Sequence, residues 1–396
     1  MLDSYDFVIM SLQTWDKPIG SNARDIATVL AKTHRVLFIS PPTDWGTKFR
    51  QRNSVTKQKR LQGLVQIQDT LWVYYPAFTL PSINWLPDGK IYDFFNWRNN
   101  RLLAGEVQRC IQQLSFERVV LVNDSDMFRG FYLKELLKPE LYAYYTRDNL
   151  LAVPFWQRHG LRLEPALMRK SDLVLGNSTY LTNLASAHNP NAVYVGQGCE
   201  LNQFDAQALY PLPPDLAAIP SPRIGYTGAL TSLRLDLALL EQLARQHPDW
   251  QLILIGPEDD TFRNSVLHSL PNVHFLGLKS PQALPAYLHH LDVLINPQLV
   301  NEVTIGNYPR KVDEYLAMGK PVVAVQTQAM ALFDEHVLLA ETADGFIYQV
   351  ERALANLTPS TSAERIAFAH QHSWENATAL MLSAIQDTAA MTYPIH

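Results

Sequence analysis

An α/β fold made of two Rossmann-like domains is predicted by three observations. Strand-like and helix-like patterns alternate along most of the chain, which implies parallel sheets with helices between their strands. The alternation is interrupted by Pro211, Pro213, Pro214, Pro220 and Pro222, a linker composition, and then starts again. At 396 residues the chain exceeds one ordinary core and suits two.

The first half opens with an apolar strand at 7–11 and a loop holding Pro18, Gly20 and Ser21. A helix from about 22 to 31 follows, with Ile26, Val29 and Leu30 apolar, then a strand at 36–39. This opening lacks G-x-G-x-x-G, so a dinucleotide fingerprint is absent. Further strands are expected at 65–67, 71–75, 119–122, 142–145, 173–176 and 192–195. Helices are expected at 95–114, within 128–137 and at 164–170. The second half begins with a strand at 223–226 that turns through Gly225-Tyr226-Thr227-Gly228 into a helix at about 235–246. Strands at 252–255, 273–276 and 293–296 follow, with a helix at 284–289. Two such halves leave a cleft at the carboxyl ends of their sheets, where α/β proteins bind ligands.

The segment 307–325, NYPRKVDEYLAMGKPVVAV, reads as a loop, a Pro-started helix, a turn and a β-branched strand. Pro309 fits the first helical turn, where a missing N–H costs nothing. Gly319 fits the position past the helix end, and Pro321 stops continuation. Lys311 and Glu314 lie three apart and share a helical face near the N-terminus. A cation, a carboxylate and free backbone N–H groups then converge, which suits a nucleotide diphosphate: N–H groups and Lys for phosphate, Glu for ribose hydroxyls. The competing reading is an ordinary helix with a surface ion pair.

The formal net charge of −5 argues against bulk nucleic-acid binding. Cys110 and Cys199 are too few for a disulfide framework or a Cys-based metal site, and point to a reducing cytosol. No apolar run has the length of a membrane span, and Met1–Tyr5 shows no secretory signal. Lys48, Arg50, Arg52, Lys57, Lys59 and Arg60 cluster behind Trp45 and Phe49, and the stretch from Trp72 to Trp97 is aromatic-rich. This is either a solvated loop ahead of a core segment or a surface at 45–60 that docks on anionic lipid. His289-His290 reads as a solvated helix end, since adjacent residues diverge on a helix.

The segment 307–325 resembles the signature of GT-B glycosyltransferases, especially glycosyltransferase family 4. That pattern runs glutamate, seven residues, glutamate, then a helix leading to GxPVV. Glu314 matches the second glutamate, and Gly306 stands at the first. IGYTGAL, LILIGP, NVHFLGLKS and HHLDVLINP precede it in the family's order. In the first half, LEPALMRKSDLVLGNSTYLTNLA and VYVGQGCELNQF resemble family elements, and RIAFAHQHSWENATALMLSAI resembles the closing helix that crosses back to the first domain. The details are similar to the bacterial branch that includes teichuronic-acid-type transferases.

The resemblance implies a GT-B fold with an N-terminal acceptor domain at 1–208 plus the closing helix 373–396, and a donor domain at 209–372. It implies a hexosyltransferase-class enzyme. The sugar would pass from a nucleotide-diphosphate sugar to a hydroxyl acceptor, lipid-linked or oligosaccharide, in surface-polysaccharide or glycolipid assembly, with retention of configuration. The setting would be cytoplasmic or peripheral on the inner face of the cytoplasmic membrane. No metal and no cofactor would be needed. Glu314 would hold the ribose, and N–H groups around Asn307 and Tyr308 the diphosphate, assisted by Lys311. Leu276, Gly277 and the residues up to Lys279 would frame the base, with Gly256 and Pro257 lining the same pocket. Gly20 would let its loop approach the diphosphate closely. Fixed positive charge near the leaving group does most of the stabilising in such a reaction, and Arg234 is the candidate for it, with Arg310 and Lys311 sharing the role.

Asp124, Asp126 and Asp148 follow strands and are candidate acceptor-activating bases, or else loop-capping carboxylates. Asp124-Ser125-Asp126 also matches the D-x-D of metal-dependent GT-A transferases, against which the two-domain layout argues. Two other classes stay open. One is an inactive GT-B-like binding or scaffold protein, motivated by Gly306. The other is a GT-B-shaped sugar-nucleotide epimerase.

Overall fold

The computed structural model describes residues 5–16, 21–44 and 63–392. The chain forms two units, Met1–Gly196 with Ala377–His396, and Gln197–Asn376.

The first unit is built on an eight-stranded sheet. Its strands are β1 (Asp6–Ser11), β2 (Arg35–Ile39), β4 (Leu64–Gln68), β5 (Leu71–Tyr74), β7 (Val119–Asp124), β8 (Leu141–Thr146), β9 (Leu173–Gly176) and β10 (Ala192–Tyr194). β3 (Thr43–Asp44) and β6 (Thr79–Leu80) form a separate pair. The order is β10-β9-β8-β7-β1-β2-β5-β4, parallel throughout except for the β4–β5 hairpin at the edge. β1, β7 and β8 are buried at every position. A parallel sheet covered on both faces needs such continuous apolar runs rather than alternation. Around the sheet lie α1 (Asn22–Leu30), α2 (Lys90–Gln113), α3 (Leu133–Leu137), α4 (Pro154–Lys170) and α5 (Thr179–Ser186). The Ser21 side chain caps α1 by accepting from the Arg24 N–H. α4 starts ten residues before the expected 164, with Pro154 in its first turn and Pro165 inside it. The polar residues Gln157, Arg158 and Arg162 face water there, which hides the apolar spacing of a helix start.

The second unit is a six-stranded, wholly parallel sheet: β11 (Arg223–Thr227), β12 (Gln251–Ile255), β13 (Val273–Phe275), β14 (Val293–Asn296), β15 (Val322–Val325) and β16 (Leu338–Ala340). Its order, β13-β12-β11-β14-β15-β16, is the doubly wound 3-2-1-4-5-6 arrangement. The order reverses between β11 and β14, so the carboxyl ends of those strands open onto a crevice. Helices α6 (Pro214–Ala217), α7 (Leu237–Gln246), α8 (Asp260–Arg263), α9 (Leu284–His289), α10 (Arg310–Ala317), α11 (Ala343–Leu354) and α12 (Ser362–Gln371) surround the sheet. α13 (Trp374–Thr392) starts in this unit and continues in the first.

The units divide at 196/197 and 376/377, against the expected 208/209 and 372/373. The proline-rich stretch packs as part of the second unit, because Leu201, Phe204, Leu216 and Ile219 all join its core. A buried polar tie fixes both ends of this unit to α10. The Cys199 thiol donates to Asp313 Oδ2 at 3.3 Å, and Asp313 Oδ1 meets His372 Nδ1 at 2.7 Å. The Cys199 N–H donates to the His372 carbonyl at 2.8 Å. Burial pushes both the Asp313 carboxyl and the Cys199 thiol up. No helix among the described residues is long and apolar enough to cross a membrane.

Candidate active site

In the second unit the site is built at the carboxyl ends of β11, β12 and β14, facing the start of α10. β11 ends at Thr227, whose N–H donates to Tyr315 Oη at 2.9 Å, so α10 is pinned to the strand end. The loops after β11 and β12 interlock: the Gly228 N–H donates to Ile255 O, and the Leu230 N–H to Pro257 O. Gly256 lies at φ +151°, and a Cβ there would fall 1.9 Å from Gly228 O. The approach of the two backbones therefore excludes any side chain at this position. The loop after β14 joins the same group, because the Leu299 N–H donates to Arg234 O.

Helix α10 begins at Arg310, one residue later than expected, with Pro309 just outside it. The Lys311 N–H has no backbone partner among the described residues. That is the open donor a helix start offers an anion. The Lys311 ammonium donates to Tyr226 Oη and lies 3.9 Å from the centre of that ring. Burial lowers its pKa to about 7, with Glu314 opposing the shift and Arg234 adding to it. Burial raises Glu314 to about 7 against the pull of Arg310 and Lys311. The Glu314 side chain has no hydrogen bond or ion-pair partner among the described residues. The surface ion pair is thus replaced by two half-buried groups tuned toward neutrality.

Arg234 is exposed and forms no ion pair among the described residues, and its charge bears on both Tyr226 and Lys311. Two further polar atoms are buried without a hydrogen-bond partner: Asn307 Oδ1 and Thr231 Oγ1. Native proteins rarely leave such atoms unpaired, and these two lie on the loops after β11 and before α10. The structure reassigns some donors. The Asn307 N–H is occupied by Thr304 O, and the Leu276 N–H by Leu254 O, as the sheet continues past β13. Gly277 follows with open space around it, and Lys279 is held by Asp215 at 2.6 Å. Pro257 is exposed at the end of the β12 loop. Gly306 is buried in the loop before α10.

In the first unit the three carboxylates behave differently. Asp124 is 1% exposed, accepts from Arg147 Nε at 2.7 Å and from Ser11 Oγ at 3.3 Å. Asp126 is fully buried and caps its own turn, accepting from the Phe128 and Arg129 N–H groups and from Arg129 Nε at 2.5 Å. The two therefore point to different partners and do not form a shared metal seat. Among the described residues no group of three or more His, Cys, Asp or Glu could hold a metal ion. Asp148 pairs with Arg147 Nη1 at 2.9 Å, keeps 40% of its side chain exposed, and lines a small cavity with Glu164 and His188. Glu164 accepts from Tyr144 Oη at 2.7 Å, and burial raises its carboxyl to about 7.

Sequence reading missed Tyr226, Thr231, Tyr315 and Glu164. The first two lie inside IGYTGAL and the loop after it, where they carry no motif of their own. Gly20 and the basic segment 45–60 lie outside the described residues.

This architecture, two Rossmann-like units with the polar site at the switch point of the second, defines a GT-B protein. Along 98% of its length the chain superposes on sucrose-phosphate synthase from Thermosynechococcus elongatus, with a TM-score of 0.68 and 16% identity, covering all of that chain. It superposes along 97% on Anabaena Alr3699/HepE, solved in complex with UDP, with a TM-score of 0.66 and 16% identity, again over 100% of that chain. Residues 221–356 match the glycosyl transferases group 1 family. The chain thus has the GT-B fold, and the stretch that matches this family lies in its second unit. A Bacillus subtilis (strain 168) protein described as a teichuronic acid biosynthesis glycosyltransferase, TuaH, is 28% identical over 214 residues. That match covers 50% of this chain and 53% of the relative, so the chain spans about half the length of the curated relative.

Proposed function

We propose that this protein transfers a sugar from a nucleotide-diphosphate sugar to a hydroxyl acceptor without a metal ion. The observation that carries this reading is Glu314: a half-buried carboxylate on α10, without a hydrogen-bond or ion-pair partner among the described residues, one turn from Lys311. Both groups carry a desolvation cost. Ribose hydroxyls donating to Glu314 and a diphosphate drawing a proton onto Lys311 would offset it. As the glycosidic bond breaks, charge builds on the departing diphosphate. The Lys311 N–H and ammonium, with Arg234 nearby, supply fixed positive ends for it. Asn307 and Thr231 offer the ligand two further polar atoms.

Uridine diphosphate is the first nucleotide to test, since the Anabaena neighbour is solved with UDP and with UDP-glucose. The Bacillus relative, described as a teichuronic acid biosynthesis glycosyltransferase, supports an acceptor in surface-polysaccharide or glycolipid assembly. Of the three candidate bases, Asp148 is the one with a partly exposed carboxylate, and if the transfer retains configuration a dedicated base is dispensable.

Titration calorimetry with UDP, on the wild type and Glu314→Ala, tests the donor site. The variant should fold normally and bind at least about tenfold more weakly, as expected for lost hydrogen bonds to a charged group. Equal affinity would remove Glu314 from the ribose. Turnover assays with UDP-glucose then separate the classes. Hydrolysis or transfer supports a transferase, and an altered nucleotide sugar formed without acceptor identifies an epimerase. Binding without any turnover identifies a scaffold.

A further inference from the structure

The first half of α2 is amphipathic in the inverse sense. Its inner face carries Asn96, Asn99 and Asn100, all buried. The Asn99 and Asn100 amides donate to Pro81 O, Asn96 O and Phe128 O, and Asn100 Oδ1 accepts from the Tyr132 N–H. Its outer face carries Ile91, Phe94, Phe95, Trp97 and Leu102, all exposed. Polar residues inside and aromatic residues outside are the reverse of what water as sole neighbour selects. The surface continues beyond the helix. Trp85, 69% exposed, lies on the preceding loop, and Phe155 and Leu161 are exposed on α4. α2 and α4 are joined there by the Tyr92–His159 stack at 3.8 Å and by Arg162, which bridges Asp88 and Asp93. A single exposed apolar residue needs no explanation, but a cluster over two adjacent helices marks a contact surface.

The charges around it indicate what it contacts. Lys90, Arg98, Arg101 and Arg158 border these side chains, and none has a carboxylate partner among the described residues. Asp88 and Asp93, the acidic residues beside these side chains, are both taken by Arg162, while Glu164 of α4 is buried and Glu106 lies in the second half of α2. Five cations against two carboxylates make this face positive on a chain whose formal net charge is −5. Arg101 also lies 5.3 Å from the centre of the Trp97 ring, so ring and cation share one depth. A second copy docked by the same face would bring these cations against their own kind, since a two-fold contact matches a patch with itself.

We propose that this face of the first unit rests on a bilayer bearing anionic headgroups, with Trp85, Phe94 and Phe155 at headgroup depth and Arg98 and Arg101 on the phosphates. Aromatic rings prefer the boundary between water and acyl chain, and long cationic side chains reach outward from it. The surface belongs to the first unit and the donor site to the second, so the proposal requires no particular nucleotide sugar.

Flotation of the full chain with phosphatidylcholine vesicles, with and without phosphatidylglycerol, tests it, with sedimentation velocity alongside. The wild type should float with phosphatidylglycerol vesicles and stay behind with neutral ones. Phe94→Ser combined with Phe155→Ser should weaken partitioning at least about tenfold. Arg98→Gln combined with Arg101→Gln should weaken it about fivefold per charge and remove the lipid dependence. All four positions are exposed, so circular dichroism and UDP affinity should match the wild type. Absence of flotation by the wild type overturns the proposal. So does equal flotation by the variants, or a concentration-dependent dimer that Phe94→Ser dissolves. Flotation without nucleotide binding would defeat the donor reading and leave this one standing; the converse result would do the opposite.

Discussion

Glu314→Gln is expected to make the empty protein more stable and a poorer nucleotide binder at the same time. Burial holds the carboxyl at about 7, against 4.5 for an ordinary glutamate, even with Arg310 and Lys311 pulling it down. One unit of displacement corresponds to about 1.4 kcal/mol. Keeping the carboxylate ionised above pH 7 therefore costs up to about 3 kcal/mol, reduced where the side chain still meets water. Between pH 4.5 and 7 the native state holds a proton that the unfolded chain has released. Stability from this group is full below that window, falls as pH rises through it, and is lost above it. Glutamine is neutral and nearly isosteric, so it escapes the loss. Urea midpoints of the variant and the wild type should coincide near the acid end of the window and diverge in the variant's favour by about pH 8. UDP affinity should fall roughly tenfold to a hundredfold, the worth of hydrogen bonds to a charged acceptor. A variant less stable than the wild type at the alkaline end, or one that binds UDP undiminished, would refute the assignment of Glu314 as a strained ribose ligand.

Other consequences follow from the same geometry. With its ammonium lowered from 10.5 to about 7, Lys311 should take up a proton when a diphosphate binds above pH 7. Affinity should then weaken as pH rises there, and Lys311→Met should flatten the profile; calorimetry in buffers of different ionisation enthalpy reads both. Gly256→Ala should lower stability by about 2 kcal/mol or more and abolish UDP binding, since its Cβ would meet Gly228 O at 1.9 Å; a melting curve with and without UDP checks it. Arg147→Met should cost about 3–5 kcal/mol in urea unfolding, because it leaves the Asp124 carboxylate buried without its cation. An unchanged midpoint would show that Ser11 and the strand end hold Asp124 unaided.

The sheets were legible because buried parallel strands announce themselves as apolar runs. β1, β2, β7, β8, β11, β12 and β14 all lie within a residue or two of the expected spans. The 307–325 segment was legible for a different reason, its punctuation. Pro309 precedes α10, and Gly319 sits at φ +68° directly after its end. The unit boundary was less legible. Prolines advertise a linker whether or not the chain beside them packs, and here Leu216 and Ile219 pack. Sequence spacing brought Lys311 and Glu314 to one helical face, but it could not supply their burial. That comes with the fold, which lays the Tyr226 ring of β11 against the Lys311 ammonium and ties α10 to the strand end through Tyr315. The carboxylates of Asn123-Asp124-Ser125-Asp126 look equivalent in sequence. Strand pairing sets Asp124 beside Ser11, while Asp126 turns back onto Arg129.

The tie among Cys199, Asp313 and His372 bears on how the donor half can be excised. A fragment cut at residue 209 would carry Asp313 into the core without the thiol that satisfies one of its oxygens. A fragment ending before 372 would remove the imidazole from the other. Either truncation strands a buried carboxyl on the helix that carries Lys311 and Glu314, so the damage would be felt at the ligand rather than at the cut. A self-sufficient piece has to run from 197 to 376. Its two ends are then held against the same aspartate, and the helix between them keeps its place by virtue of both.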